Sequence, residues 1–144
     1  MKKAFSILEI IIVVVIISII LSFAITKFNL INENTNLTKL KADVALIQNG
    51  ITNLKKQKVL KNDYNQIEKL DLALDNTANE KLFSNVLQYP LKATNSHLKE
   101  EGFWYKKSQN EYLYILNSSS EISFELKNDF FTCIKPNNIC KELF

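Results

Sequence analysis

The sequence predicts an α+β protein in which a long N-terminal helix packs against a small antiparallel C-terminal sheet. Three observations carry this expectation. The chain opens on an apolar run, "AFSILEIIIVVVIISIILSFAIT" from Ala4 to Thr26. A seam of aliphatic residues follows at helical spacing. From Gly102 onward, short aromatic segments alternate in polarity between turn residues.

At 144 residues, 47% of them hydrophobic, the chain has room for one modest domain beyond its first segment, and a two-domain enzyme is not expected. The net charge is +3, and every basic residue is Lys. With Lys2 and Lys3 set aside, 16 Lys face 15 acids, which leaves no strong basic footprint, so nucleic acid is not directly indicated as a partner. The glycines are Gly50 and Gly102 and the prolines Pro90 and Pro136, too sparse for a phosphate-cradling or dinucleotide loop. The lone histidine, His97, cannot supply a zinc pair. No nucleophile with a base can be assembled, so no enzyme is expected.

Residues 10–26 carry no charge, and the 22 residues from Phe5 to Thr26 are interrupted only by Glu9. As a helix they span about 33 Å, close to the thickness of a bilayer core. The Ile and Val content would suit a strand in water, but in lipid only a helix satisfies its own backbone. Lys2 and Lys3 hold the N-terminus in the cytoplasm by the positive-inside rule, which puts residues from Lys27 onward across the membrane.

Three readings fit this segment. As a secretory signal peptide it has a Lys-Lys head, an apolar middle and Ser22-Phe23-Ala24 as a cleavage site, with Glu9 lying inside the apolar region. As a simple single-pass anchor it leaves Glu9 without a purpose, because an acid costs about 3 kcal/mol at midspan and asks for a partner. The third reading supplies one. "KKAFSILEI" resembles the N-terminal motif of the type IV pilin and pseudopilin family: a basic leader, a small residue, Phe, then Glu and a long apolar helix. The resemblance implies that residues 1–4 are a prepilin leader and that a prepilin peptidase cuts between Ala4 and Phe5 and methylates the new amine. It also implies that Glu9 is required for assembly. Ala4 stands where the family usually has Gly. The amine on Phe5 would lie one helical turn from Glu9, so the acid could be neutralised by its own subunit or by a neighbour.

Beyond the apolar segment, Leu37, Leu40, Val44, Ile47, Ile51 and Leu54 repeat at spacings of 3 and 4. A continuous helix from about Phe5 to about Lys58 follows, with residues 5–26 as its transmembrane part and 27–60 as an amphipathic stem. Gly50 alone costs only about 1 kcal/mol. Fewer than three heptads is short for a coiled coil, so the chain's own C-terminal half is expected to cover the seam. Residues 61–101 read as a polar connecting region with helical pieces around Tyr64–Leu74 and Asn79–Gln88.

Residues 102–144 read as an antiparallel sheet of three or four strands, from "GFWYKK", "EYLYIL" and "EISFELK". Trp104, Tyr105, Tyr112, Tyr114 and Phe124 read as sheet core rather than a base-stacking platform, since no basic groove accompanies them. Phe103, Trp104, Phe130 and Phe131 are open between core and contact with a sibling subunit. Cys133 and Cys140 enclose "IKPNNI". If the domain lies outside the cytoplasmic membrane, a disulfide is the default there, contributing about 2 to 3 kcal/mol. The spacing is not that of a Cys-x-x-Cys redox pair.

The architecture also matches the globular domain of pilins and pseudopilins. The resemblance implies a structural subunit of a periplasmic pseudopilus, serving protein secretion, DNA uptake in natural transformation, or a pilus. Its implied partners are sibling pseudopilins, the peptidase, an assembly ATPase and an inner-membrane platform protein. Major pseudopilins of secretion systems often bind calcium near the C-terminus. Asn128, Asp129, Asn137 and Asn138 are the oxygen ligands on offer here, and only Asp129 is charged, so the residues themselves read as turn formers; no cofactor is expected otherwise. From a different class, the alternative is a signal-anchored periplasmic binding or scaffold protein with no fibre role.

Overall fold

A computed structural model describes residues 7–143, apart from the side chains of residues 26 and 28–30. Helix α1 runs Ile7–Leu60. The chain divides into two compact units, Met1–Thr35 and Asn36–Phe144, and α1 contributes to both.

In the second unit the expected seam is the buried stripe. Leu40, Val44, Ile47 and Ile51 lie in the core, with Leu37 and Leu54 packed at its margins. What covers them is a four-stranded antiparallel sheet of β3 (Trp104–Lys106), β4 (Glu111–Asn117), β5 (Ser120–Lys127) and β6 (Phe130–Lys135), in that spatial order. Alternation decides which side chains face the helix. Ile122, Phe124 and Leu126 of β5 are buried, and the residues between them are partly exposed. Along β4, Tyr112, Tyr114 and Leu116 join the main core, while Leu113 and Ile115 form a second small cluster with Tyr105. Register follows from tight turns. Asn128 and Asp129, with φ of 52° and 63°, make the two-residue connection between β5 and β6 that a right-twisted hairpin needs.

Aromatic rings fill the space between sheet and helix. Phe124 stacks on Phe131 at 5.2 Å, and Trp104 meets Tyr114 edge-on at 5.0 Å. The sheet residues expected to be core are core. Phe131 joins them, Phe103 is half-buried and Phe130 is exposed.

The connecting region differs from expectation. Neither helical piece forms: residues 61–101 contain turns, extended chain and a two-stranded sheet of β1 (Lys81–Leu82) and β2 (Leu91–Lys92). Tertiary burial overrides local propensity here. Ile67, Leu70, Leu82, Phe83 and Ala93 are drawn one by one into the core, and Asn62, Asn76, Asn79 and Phe83 adopt positive φ to permit it. Gly50, read from sequence only as a tolerated cost, is where this layer meets the helix. A Cβ on Gly50 would collide with the Val86 carbonyl oxygen.

The fold closes with α2 (Asn137–Leu143), joined to β6 by the Cys133–Cys140 disulfide across a Cα separation of 5.5 Å. Ile139 and Leu143 pack against the core margin.

Candidate functional site

Glu9 lies in the first turn of α1, and its side chain is exposed. The helix from Ile7 to Ile25 has a mean hydropathy of 3.1 and is long and apolar enough to cross a membrane. Its large side chains are exposed all round, from Ile10 at 54% to Ile20 at 60%. Such a surface needs lipid or a neighbouring chain to cover it. The helix also consumes its own polar groups. Ser18 donates its hydroxyl to the Val14 carbonyl at 2.7 Å, and Ser22 donates to Ser18 at 2.9 Å, so neither hydroxyl requires water. Glu9 is therefore the one charged side chain of the described span. Ala4 and Phe5, the expected processing residues, lie outside the described residues.

The second unit contains two polar clusters that sequence reasoning missed. Asp71 is fully buried and accepts four hydrogen bonds. The Lys106 ammonium reaches its Oδ1 at 2.9 Å and the Ala73 N–H at 3.2 Å. Its Oδ2 takes the Phe83 N–H at 2.9 Å and the Tyr112 hydroxyl at 3.0 Å. Lys106 also donates to the Ala73 carbonyl at 2.8 Å and lies 3.9 Å from Asp75. Burial, then the nearby Asp71 carboxylate, pushes the Tyr112 hydroxyl far above the usual phenol range. A cleft of about 260 Å³ opens beside this cluster, lined in part by Lys69, Leu72 and Gln109. Because the polar atoms of Asp71 and Lys106 are spent on one another and on backbone, the arrangement pins the connecting region to the sheet.

The second cluster joins helix and sheet. Asp43 accepts the Trp104 indole N–H at 2.9 Å. Burial raises the Asp43 carboxyl above its ordinary range, against the pull of that hydrogen bond and of Lys39.

Of the oxygen ligands on offer near the C-terminus, Asp129 is engaged within the domain. The Asp129 carboxylate accepts the Ile67 N–H at 2.7 Å and pairs with Lys55 at 3.0 Å. Burial pushes this carboxyl up, but the Ile67 N–H and Lys55 outweigh it and leave it below the ordinary range. Asn128 and Asp129 form the hairpin turn, and Asn137 and Asn138 begin α2. Among the described residues, no group of three His, Cys, Asp or Glu side chains is placed to hold a metal ion.

Compared with known proteins, the chain matches no family model, no curated protein and no solved structure. Its class is therefore defined by its own features. It has one N-terminal apolar helix of the kind found in membrane anchors and signal sequences. An α+β domain follows, with a long helix on a four-stranded antiparallel sheet and a C-terminal disulfide.

Proposed function

We propose that the protein is a non-enzymatic structural subunit, a pseudopilin or minor pilin, drawn from the bacterial inner membrane into a short periplasmic fibre. The observation that carries this reading is Glu9, the single charge of an exposed apolar helix, preceded by Lys2, Lys3, Ala4 and Phe5. A prepilin peptidase cuts between Ala4 and Phe5 and methylates the new amine. That amine, one turn from Glu9 or on an adjacent subunit, supplies the partner a carboxylate in lipid requires. When subunits stack with an axial offset, a neighbour's amine also sets their register. Head-to-tail contacts of this kind give an open helical filament rather than a ring.

The exposed side chains of Ile10 to Ile25 become the fibre's apolar core, and the sheet domain its outer layer. An assembly ATPase, an inner-membrane platform protein and sibling pseudopilins complete the machine. The short chain and small domain favour a pseudopilus over a surface pilus. A knockout assayed for both secreted proteins and transformation frequency distinguishes type II secretion from DNA uptake.

The reading is tested by Glu9→Ala. The fraction of the protein in assembled fibres should fall about a hundredfold, because an amine left unpaired in lipid costs about 3 kcal/mol or more. Thermal unfolding of the α+β domain should not change. A Glu9→Ala chain that assembles at wild-type level overturns the proposal. The second reading, a signal-anchored periplasmic binding or scaffold protein, is favoured by the apolar helix alone, which meets the requirements of an anchor or signal as well.

A further inference from the structure

The α+β unit carries an exposed acidic pair at one end along α1 and an exposed basic pair at the other. Near Asn36, the Tyr114 hydroxyl donates to the Asn36 carbonyl at 2.8 Å, and the Asn36 amide donates to the Leu116 carbonyl at 2.9 Å. Lys39 donates to the Gly102 carbonyl and lies 4.6 Å from the centroid of the Phe103 ring. These contacts fix the turn that precedes Gly102 to this end of the unit. The Lys99–Glu121 pair is formed there, which leaves Glu100 and Glu101 exposed beside Leu98, itself 60% exposed.

The other end is the last turn of α1. Lys55 pairs with Asp129 and Lys58 with Asp63, which leaves Lys56 and Lys61 exposed beside Leu60 at 83% and Tyr64 at 76% exposure. None of Lys56, Lys61, Glu100 or Glu101 is in an ion pair among the described residues. From Lys39 to Lys56 the helix rises about 26 Å, so the two ends cannot neutralise one another within one chain.

We propose that these ends form a head-to-tail contact between two copies of this chain. Lys56 and Lys61 of one copy meet Glu100 and Glu101 of the next, and Leu60 and Tyr64 cover Leu98. The identification of a second copy rests on complementarity: one end carries the Glu100 and Glu101 carboxylates, with Lys39 held on the Gly102 carbonyl and the Phe103 ring, the other carries Lys56 and Lys61, and each pair lies beside exposed apolar side chains. Because the two patches differ, the contact is heterologous and propagates. The inference deepens the fibre reading, and rests on it, by naming side chains through which successive outer domains touch.

Zero-length carbodiimide cross-linking of the protein in isolated cell envelopes, which hold both membrane and periplasmic fibre, tests the contact. Within one chain the ends are too far apart to be joined, so a peptide linking Lys56 or Lys61 to Glu100 or Glu101 reports two copies. Because each substitution also removes a reacting group of the link, association of the K56E/K61E and E100K/E101K variants is read by co-purification of two differently tagged copies, which each should lower about tenfold or more. Co-expressed, they should restore it, because one variant then has two acidic ends and the other two basic ends. Exchange to 1 M salt, where the screening length is about 3 Å, should weaken the wild-type contact. Links between copies through other residues, single variants that associate like the wild type, or monomer alone overturn the proposal. So does retardation of duplex DNA that K56E/K61E abolishes while no linked dimer forms, since the basic end would then serve a polyanion. The N-terminal residue measured on the same sample reports separately on the fibre reading: a processed Phe5 with no such link removes the contact and keeps the fibre.

Discussion

The two parts of α1 share a backbone and differ in everything they present to their surroundings. Between Ile7 and Ile25 the helix is apolar on every side, and none of its side chains is buried. From Asn36 to Leu60 its main apolar stripe is covered by the rest of the domain, with Leu40 and Ile47 at 0% exposure. The acids follow the same division. Glu9 stands exposed in its apolar setting, whereas Asp43 is buried against the Trp104 indole. The stem owes its stability to the sheet that covers it. The apolar part has no such cover within the described residues, and under the proposed function its one carboxylate takes a partner from outside the chain.

The largest expected effect falls on the layer that holds the stem stripe covered. Asp71→Ala leaves Lys106 buried without its carboxylate and frees the N–H groups of Ala73 and Phe83, which should cost about 3 to 5 kcal/mol in denaturant unfolding. Wild-type stability in that variant would show that the connecting region does not hold the domain together.

The comparison itself is sharpened by making one substitution twice. Ile47→Ala should destabilise the domain by about 2 to 5 kcal/mol, since the side chain is fully buried. Ile16→Ala, at 51% exposure in the apolar part, should leave domain unfolding unchanged. Equal effects at the two positions would contradict the division of the helix.

Gly50→Ala separates local propensity from packing. Alanine is the better helix former by about 1 kcal/mol, yet its Cβ meets the Val86 backbone, so the net change should be a destabilisation of about 1 to 3 kcal/mol. A stabilised variant would mean that the covering layer yields at Val86.

The smallest effect is a pH dependence. Burial raises the folded-state pKa of Asp43 above its ordinary 3.8, so the folded protein binds this proton more readily than the unfolded chain does. Asp43 therefore opposes folding when ionised, and this penalty disappears as pH falls from above the folded pKa toward 3.8. Asp43→Asn, which keeps an acceptor for Trp104, should be the more stable protein at neutral pH, and the gap should close on acidification. A gap that widens toward low pH contradicts this assignment.

The apolar helix, the stem seam and the sheet are legible in the sequence because each is a local periodicity. The spacings of Leu40, Val44, Ile47 and Ile51 and the alternation of Ile122, Phe124 and Leu126 need no knowledge of distant residues. The connecting region is not legible in this way. Its anchors are single side chains at irregular intervals, and the carboxylate that fixes it finds its lysine 35 residues along the chain. Nothing near Asp71 or Lys106 marks either as buried. The role of Gly50 is hidden for the same reason, since the carbonyl it admits belongs to a distant segment. Glu9 is conspicuous in sequence because of its apolar neighbours, but the partner proposed for it belongs to the processed chain or to a neighbouring subunit.

The most direct test of the central claim is the N-terminal residue and intact mass of the protein isolated from membranes. Cleavage after Ala4, giving a chain that begins at methylated Phe5, is the result the account predicts. It would place a charged amine one turn from Glu9. A chain that begins at Ile25, or that still carries Met1, would contradict the account and leave Glu9 without the partner assigned to it.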